Sequence, residues 1–380
     1  LKEDRTLNIY LPKSFHIASK DHTYPLLLLY GEHGNQFFLT TSGIVEHLSS
    51  VHRMPEAVVV SFNESKNYAP DVYANGMWGP NREMLVFNAD PDRFIKHLKE
   101  ELFPYLEQRY RVTDFKMIVG VSGSSIFPMH TFAKAPELFQ GHVIMAGADM
   151  VGMGYEQDST FIDAFVERLK TSSVSRSYLY FGVADDDLTW DQAYPKNLEE
   201  LESRLSPFAS DIFRFQVEVI PDEIHYDSYI KGLLSSFALI FPKKIWSTDY
   251  VDLIKKPGNA LKNIDAFHQE LSNRYGFAIL PKVERWNNQN SLDKIGERLM
   301  GKERTKEAIE LFERIVEYRP KSAKALNELA KALEADHQYE KALGTMQKCV
   351  SLAETFEKEN AEQYREYFER LKTTVANFKN

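Results

Sequence analysis

The chain has 380 residues, 43% of them hydrophobic and 27% charged, with a net charge of −9; this is the balance of a globular protein with room for two domains. The acidic excess and the lack of a Lys/Arg cluster argue against a nucleic-acid binder. A single cysteine, Cys349, excludes an internal disulfide and a cysteine-based zinc site, and apolar runs such as Leu26 to Tyr30 fall far below the roughly 18 residues of a membrane span.

A strand-like segment begins within a few residues of Leu1 with no signal-peptide pattern before it. That is the pattern of a trimmed natural N-terminus, and it leaves cytoplasm and periplasm equally open. Strands are expected at Thr6 to Leu11, Pro25 to Tyr30, Ala57 to Phe62, Lys116 to Val121, His142 to Ala146, Ser177 to Val183 and Phe213 to Ile220. Helical patterns lie between them at Ser42 to Val51, Pro91 to Tyr110, Thr160 to Leu169, Pro195 to Leu205 and Asp227 to Phe241. Leu26 to Leu29 and Ala57 to Val60 are apolar at every position, as in strands covered on both faces. The alternation predicts an α/β fold with a mostly parallel sheet over residues 1–246.

Residues 247–289 read as a helical connector, with Pro257-Gly258, a helix over Ala260 to Arg274, and Pro281. Residues 290–380 are helical in character and repeat. Leu292, Ile295, Gly296, Leu299 and Ala308 recur 34 residues later as Leu326, Leu329, Ala330, Leu333 and Ala342, the period of a tetratricopeptide helix pair. Pro320 falls between the repeats, and a capping helix is expected over Phe356 to Phe378.

The stretch most informative about chemistry is Lys116 to Ser124, where a strand runs into Gly120-Val121-Ser122-Gly123-Ser124. Its layout is that of a nucleophile elbow, a tight turn that exposes a serine hydroxyl above the carboxyl edge of the sheet. Gly123 would supply an oxyanion-hole N–H, and Gly31 or Glu32 the second. Ser124 stands where this motif expects glycine. An acid and a histidine should follow in that order. Asp185, Asp186 and Asp187 come just past the Ser177 strand, with Asp185 preferred, and His225 comes just past the Phe213 strand. His33 and His130 read as packing residues or as pocket lining. No phosphate loop, dinucleotide fingerprint or metal-ligand spacing stands out.

Taken together, Thr6 to Pro12, Tyr24 to Gly31, Arg53 to Glu56, Phe94 to Tyr110 and the connector stretch Leu271 to Phe277 resemble the esterase D and enterobactin-esterase type of bacterial esterase, in the members that carry a C-terminal tetratricopeptide extension. The resemblance implies an α/β-hydrolase fold, carboxylic ester hydrolysis of a small-molecule substrate, no cofactor, and Ser122 and His225 as nucleophile and base. The chain departs from that pattern at Val121, Ser124-Ser125, Tyr30, Asn67 to Pro70 and Ala146 to Met150. Siderophore hydrolysis is therefore not carried over, and a non-catalytic hydrolase-fold scaffold is the alternative. The C-terminal helices would serve a homodimer or a protein partner.

Overall fold

A computed structural model of the protein describes residues 4–63, 74–75, 84–87, 89–156, 158–171, 176–284 and 290–378. Seven strands form the main sheet: β1 Thr6–Tyr10, β2 Tyr24–Leu29, β3 Val58–Asn63, β4 Val112–Val121, β5 Gly141–Met145, β6 Ser177–Ala184 and β7 Phe213–Ile220. Their order is β1-β3-β2-β4-β5-β6-β7. Only β1 runs antiparallel to its neighbour; the other pairings are parallel. Parallel neighbours need crossovers, and these place helices on both faces.

The continuous apolar runs follow from that burial. All six residues of β2 are buried. Leu26 and Leu28 enter one core, with Val58, Val60 and Ile118, while Leu27 and Leu29 enter the opposite one, with Val59, Met117 and Val119. Each such leucine contributes roughly 2 kcal/mol by leaving water. The second core is covered by α1 (Glu32–Ser50) and α6 (Tyr229–Ile240), the first by α2 (Phe103–Tyr110), α3 (Ile126–Lys134), α4 (Phe161–Thr171) and α5 (Ala193–Leu205).

Two helices differ from the sequence reading. α1 starts at Glu32, ten residues before Ser42, because Gly34 lets its first turn press against β2; a Cβ there would stand 2.6 Å from the Leu29 carbonyl oxygen. The helical stretch from Pro91 to Tyr110 widens into a π turn at Leu98–Leu102. Pro104, just beyond it, has no N–H to donate to the preceding turn.

The connector contributes to two cores. From α7 (Ala260–Tyr275) and its flanks, Trp246, Leu271, Tyr275 and Phe277 pack against the sheet-side core. Tyr250, Leu253, Ala260 and Ile264 pack with the C-terminal helices. Those helices are α8 (Leu292–Met300), α9 (Thr305–Tyr318), α10 (Ala323–Ala335), α11 (Tyr339–Phe356) and α12 (Ala361–Phe378). The residues that repeat in sequence all lie on buried faces. At Gly296 a Cβ would lie 2.5 Å from the Phe312 ring, so the first pair of helices can cross this closely only at glycine. Cys349 is buried on α11 and donates to the Ala323 carbonyl. The capping helix is shorter than the sequence suggested. Chain direction changes after Phe356 because the Glu357 carboxylate turns back to accept from Ala323 and Lys324 N–H at the start of α10.

Candidate active site

Strand register brings four loops to one edge of the sheet. Val121 pairs with Met145, Met145 with Gly182, and Ala184 with Ile220, so the turns after β4, β5, β6 and β7 emerge side by side. With strands spaced about 4.8 Å apart, a side chain from the β7 loop must reach back across β6 and β5 to meet β4. His225 does so.

Ser122 is the first residue after β4 and sits at φ +54°, in the left-handed region that a non-glycine residue occupies at a cost. The surroundings hold it there. Ser124 Oγ donates to the Val121 carbonyl at 2.7 Å and accepts from the Val121 N–H at 3.2 Å. Ser125 Oγ donates to the Met145 carbonyl at 2.7 Å, tying the turn to β5. Gly120 is needed beneath it, since a Cβ there would stand 2.7 Å from Pro128 and 3.0 Å from the Ser124 carbonyl oxygen. The serine in place of the motif's second glycine is thus the hydrogen-bonded lock of the turn.

His225 Nε2 lies 2.9 Å from Ser122 Oγ, and its Nδ1 lies 2.9 Å from Asp187 Oδ2. Asp187 is buried and His225 half-buried. Trp190 stacks on the imidazole at 5.2 Å between centroids, and Tyr226 meets it edge-on at 4.5 Å. Ser228 Oγ donates to the His225 carbonyl, closing the loop behind the ring.

The carboxylate that reaches His225 is therefore Asp187 and not Asp185, the residue preferred from sequence. Asp185 stands immediately at the end of β6, beside the end of β7. Its carboxylate accepts there from the N–H groups of Asp222 and Glu223, at 3.0 and 3.2 Å, which hold its pKa below the ordinary value. Two residues later the 3-10 turn Asp186–Thr189 has carried the chain around to the imidazole. Asp185 instead fastens the loop that bears His225.

Gly31 takes φ +79° where β2 gives way to α1, and Glu32 opens the helix; Gly123 follows Ser122 in the turn. His130 does not line the cleft. It is buried on α3, 2.7 Å from the Tyr155 hydroxyl, and burial lowers its pKa. The side chain of His33 and the stretch Asn67 to Pro70 lie outside what the structure describes. Tyr30, one of the departures, is a core residue: its ring stacks on Phe127 at 4.4 Å and meets Phe94 edge-on.

Sequence reasoning gave three cleft residues no role, although Asp149 falls in the departing stretch Ala146 to Met150. Asp149, Trp190 and Tyr194 line an open cleft together with Ser122, Asp187 and His225. Asp149 also follows a strand end, β5, the same signal that marked Asp185. Burial pushes its carboxyl up to about 6, against opposing pulls from nearby N–H groups and from His225. Among the described residues no cluster of His, Cys, Asp and Glu could hold a metal ion, and no helix is long and apolar enough to cross a membrane.

The comparisons agree with this architecture. Residues 299–349 match the tetratricopeptide repeat model. An IroE-like serine hydrolase from Shewanella oneidensis superposes with a TM-score of 0.59 at 17% identity, over 82% of this chain and 94% of that one. An uncharacterised protein from Capnocytophaga ochracea superposes with a TM-score of 0.54 at 16% identity, over 97% and 96% of the two chains, so the likeness in fold includes the helical tail. No curated protein matches the sequence. The model of the family described as Putative esterase matches residues 1–218, more than half the chain and the whole of β1 to β6 with Ser122 and Asp187, and the protein belongs to that esterase family.

Proposed function

We propose that the protein is a serine carboxylic ester hydrolase working through Ser122, His225 and Asp187. The observation that carries this reading is the hydrogen-bonded line Asp187 to His225 to Ser122, with 2.9 Å at both links and the serine held at positive φ. Ser122 Oγ attacks the ester carbonyl as His225 Nε2 takes its proton. Asp187 accepts from Nδ1–H, which fixes the tautomer and stabilises the imidazolium that forms. The Gly123 N–H and one from Gly31 or Glu32 bind the developing oxyanion. Collapse of the tetrahedral intermediate breaks the bond to the alcohol oxygen, which leaves with the proton from Nε2. Water, deprotonated by the same nitrogen, then cleaves the acyl-serine to the free acid.

Labelling with a fluorophosphonate probe tests the assignment, with p-nitrophenyl acetate turnover as a parallel readout. Wild type should label and Ser122→Ala should not, with turnover falling on the order of a million-fold. Equal labelling of both proteins would remove Ser122 from the reaction. An unlabelled, well-folded wild type would favour a non-catalytic scaffold.

A further inference from the structure

The cleft beside Ser122 has an asymmetric chemical character. His225 forms one wall, and the nitrogen that faces Ser122 is the one that must hand a proton to the departing oxygen. The space on this side of the serine is where the alcohol portion of an ester lies, while the acyl portion points elsewhere. Asp149, Trp190 and Tyr194 complete this alcohol-side space, which opens to solvent. Its lining contains two carboxylates and no Lys or Arg among the described residues.

The two acids differ in state. Asp187 is bonded to His225. Asp149 has the cleft before it, accepts from the Met150 and Asp149 N–H groups, and feels the charges of His225 and Asp187, which already face each other. Its partly buried carboxylate is costly to keep charged without a cation beside it. Trp190, half exposed and stacked on His225, and Tyr194 also line the space, and aromatic rings attract cations and not anions.

Resting on the esterase reading above, we infer that the cleft takes esters whose alcohol carries a quaternary or primary ammonium group, with Asp149 as counter-ion and Trp190 and Tyr194 as the aromatic wall. An anionic alcohol would meet Asp149 at close range and be rejected. The chain's net charge of −9 acts in the same direction, raising the local concentration of cationic esters. Asp149 is thus a specificity residue for the leaving group.

The test compares acetylcholine with its carbon isostere dimethylbutyl acetate, which differs only in lacking the charge. Wild type should favour the cationic ester by at least about tenfold in kcat/KM, and Asp149→Asn should abolish most of that preference. A merely structural effect of the substitution would lower both esters alike. As a second measurement, tetramethylammonium chloride should inhibit wild-type hydrolysis of p-nitrophenyl acetate competitively, beyond what sodium chloride does at the same ionic strength. The variant should lose this inhibition.

Equal kcat/KM for the two esters, or a preference for the neutral isostere or for a glyceryl ester, would overturn the substrate class while leaving Ser122 chemistry intact. So would a preference unchanged in Asp149→Asn. Failure of the underlying reading looks different: p-nitrophenyl acetate would not be turned over and the fluorophosphonate would not label Ser122.

Discussion

Three successive aspartates follow β6, and their side chains do different work. Asp185 accepts two N–H bonds from the β7 exit, whereas Asp187 faces the imidazole. Replacing a carboxylate by its amide keeps the shape and, on the proposed mechanism, removes the charge that selects the histidine tautomer. Asp187→Asn should therefore lower kcat by about ten-thousandfold with little change in KM. Asp185→Asn retains an acceptor oxygen for the loop, and its effect should stay below about tenfold. Steady-state kinetics of both variants decide the matter, and the opposite ranking would return the orienting role to Asp185.

The elbow shows why one element was legible in the sequence and its details were not. A strand of apolar residues ending in Gly120-Val121-Ser122-Gly123 declares itself by pattern, as do the apolar runs Leu26 to Leu29 in β2 and Ala57 to Val60 at the start of β3, and the repeated Leu and Ala positions of the C-terminal helices. Ser124 looked like a departure because the pattern records residue types, and its function lies in two hydrogen bonds to Val121. Ser124→Ala leaves those buried backbone groups of Val121 short of partners. The hydrolase transition should lose about 1–3 kcal/mol in chemical denaturation, together with activity as Ser122 relaxes from φ +54°. An unchanged denaturation midpoint would mean that the turn is held by Ser125 and Gly120 alone. Other features escaped for equally local reasons. Gly34 reads as a helix breaker and is instead what lets α1 begin against β2. Asp149 has no partner at a telling spacing, because its relation to His225 comes from strand order. The choice among Asp185, Asp186 and Asp187 depends on the path of a 3-10 turn that three identical residues cannot reveal.

Across the whole molecule the hydrolase part and the helical tail meet through buried charge. Glu56, just before β3, bonds Ser14 Oγ at 2.7 Å and Lys282 Nζ of the connector at 3.0 Å, with the two side chains of the ion pair only 17% and 14% exposed. The Ser19 N–H donates to the Tyr318 carbonyl at the end of α9, and His22 lines the same interface with Lys282 and Tyr318. Burial would raise the Glu56 carboxyl, but the charge of Lys282 and the hydrogen bonds prevail and bring it to about 2, from 4.5. Burial lowers His22 from 6.5 to about 4. Both folded values are depressed, so both groups bind protons more readily in the unfolded chain, and stability falls as pH falls. The His22 contribution declines between pH 6.5 and about 4, and that of Glu56 between pH 4.5 and about 2. Together they predict a tail that detaches in acid before the sheet unfolds, visible as loss of amide-exchange protection in α7 to α9 ahead of β2 to β6. At neutral pH, Glu56→Gln leaves Lys282 without its charge partner and should destabilise the junction by about 3 kcal/mol. The same variant should remove the Glu56 part of the acid limb, and because the Glu56 charge counteracts burial at His22, it should carry the His22 part to lower pH. An acid limb identical to wild type would assign the junction's pH response to groups other than Glu56.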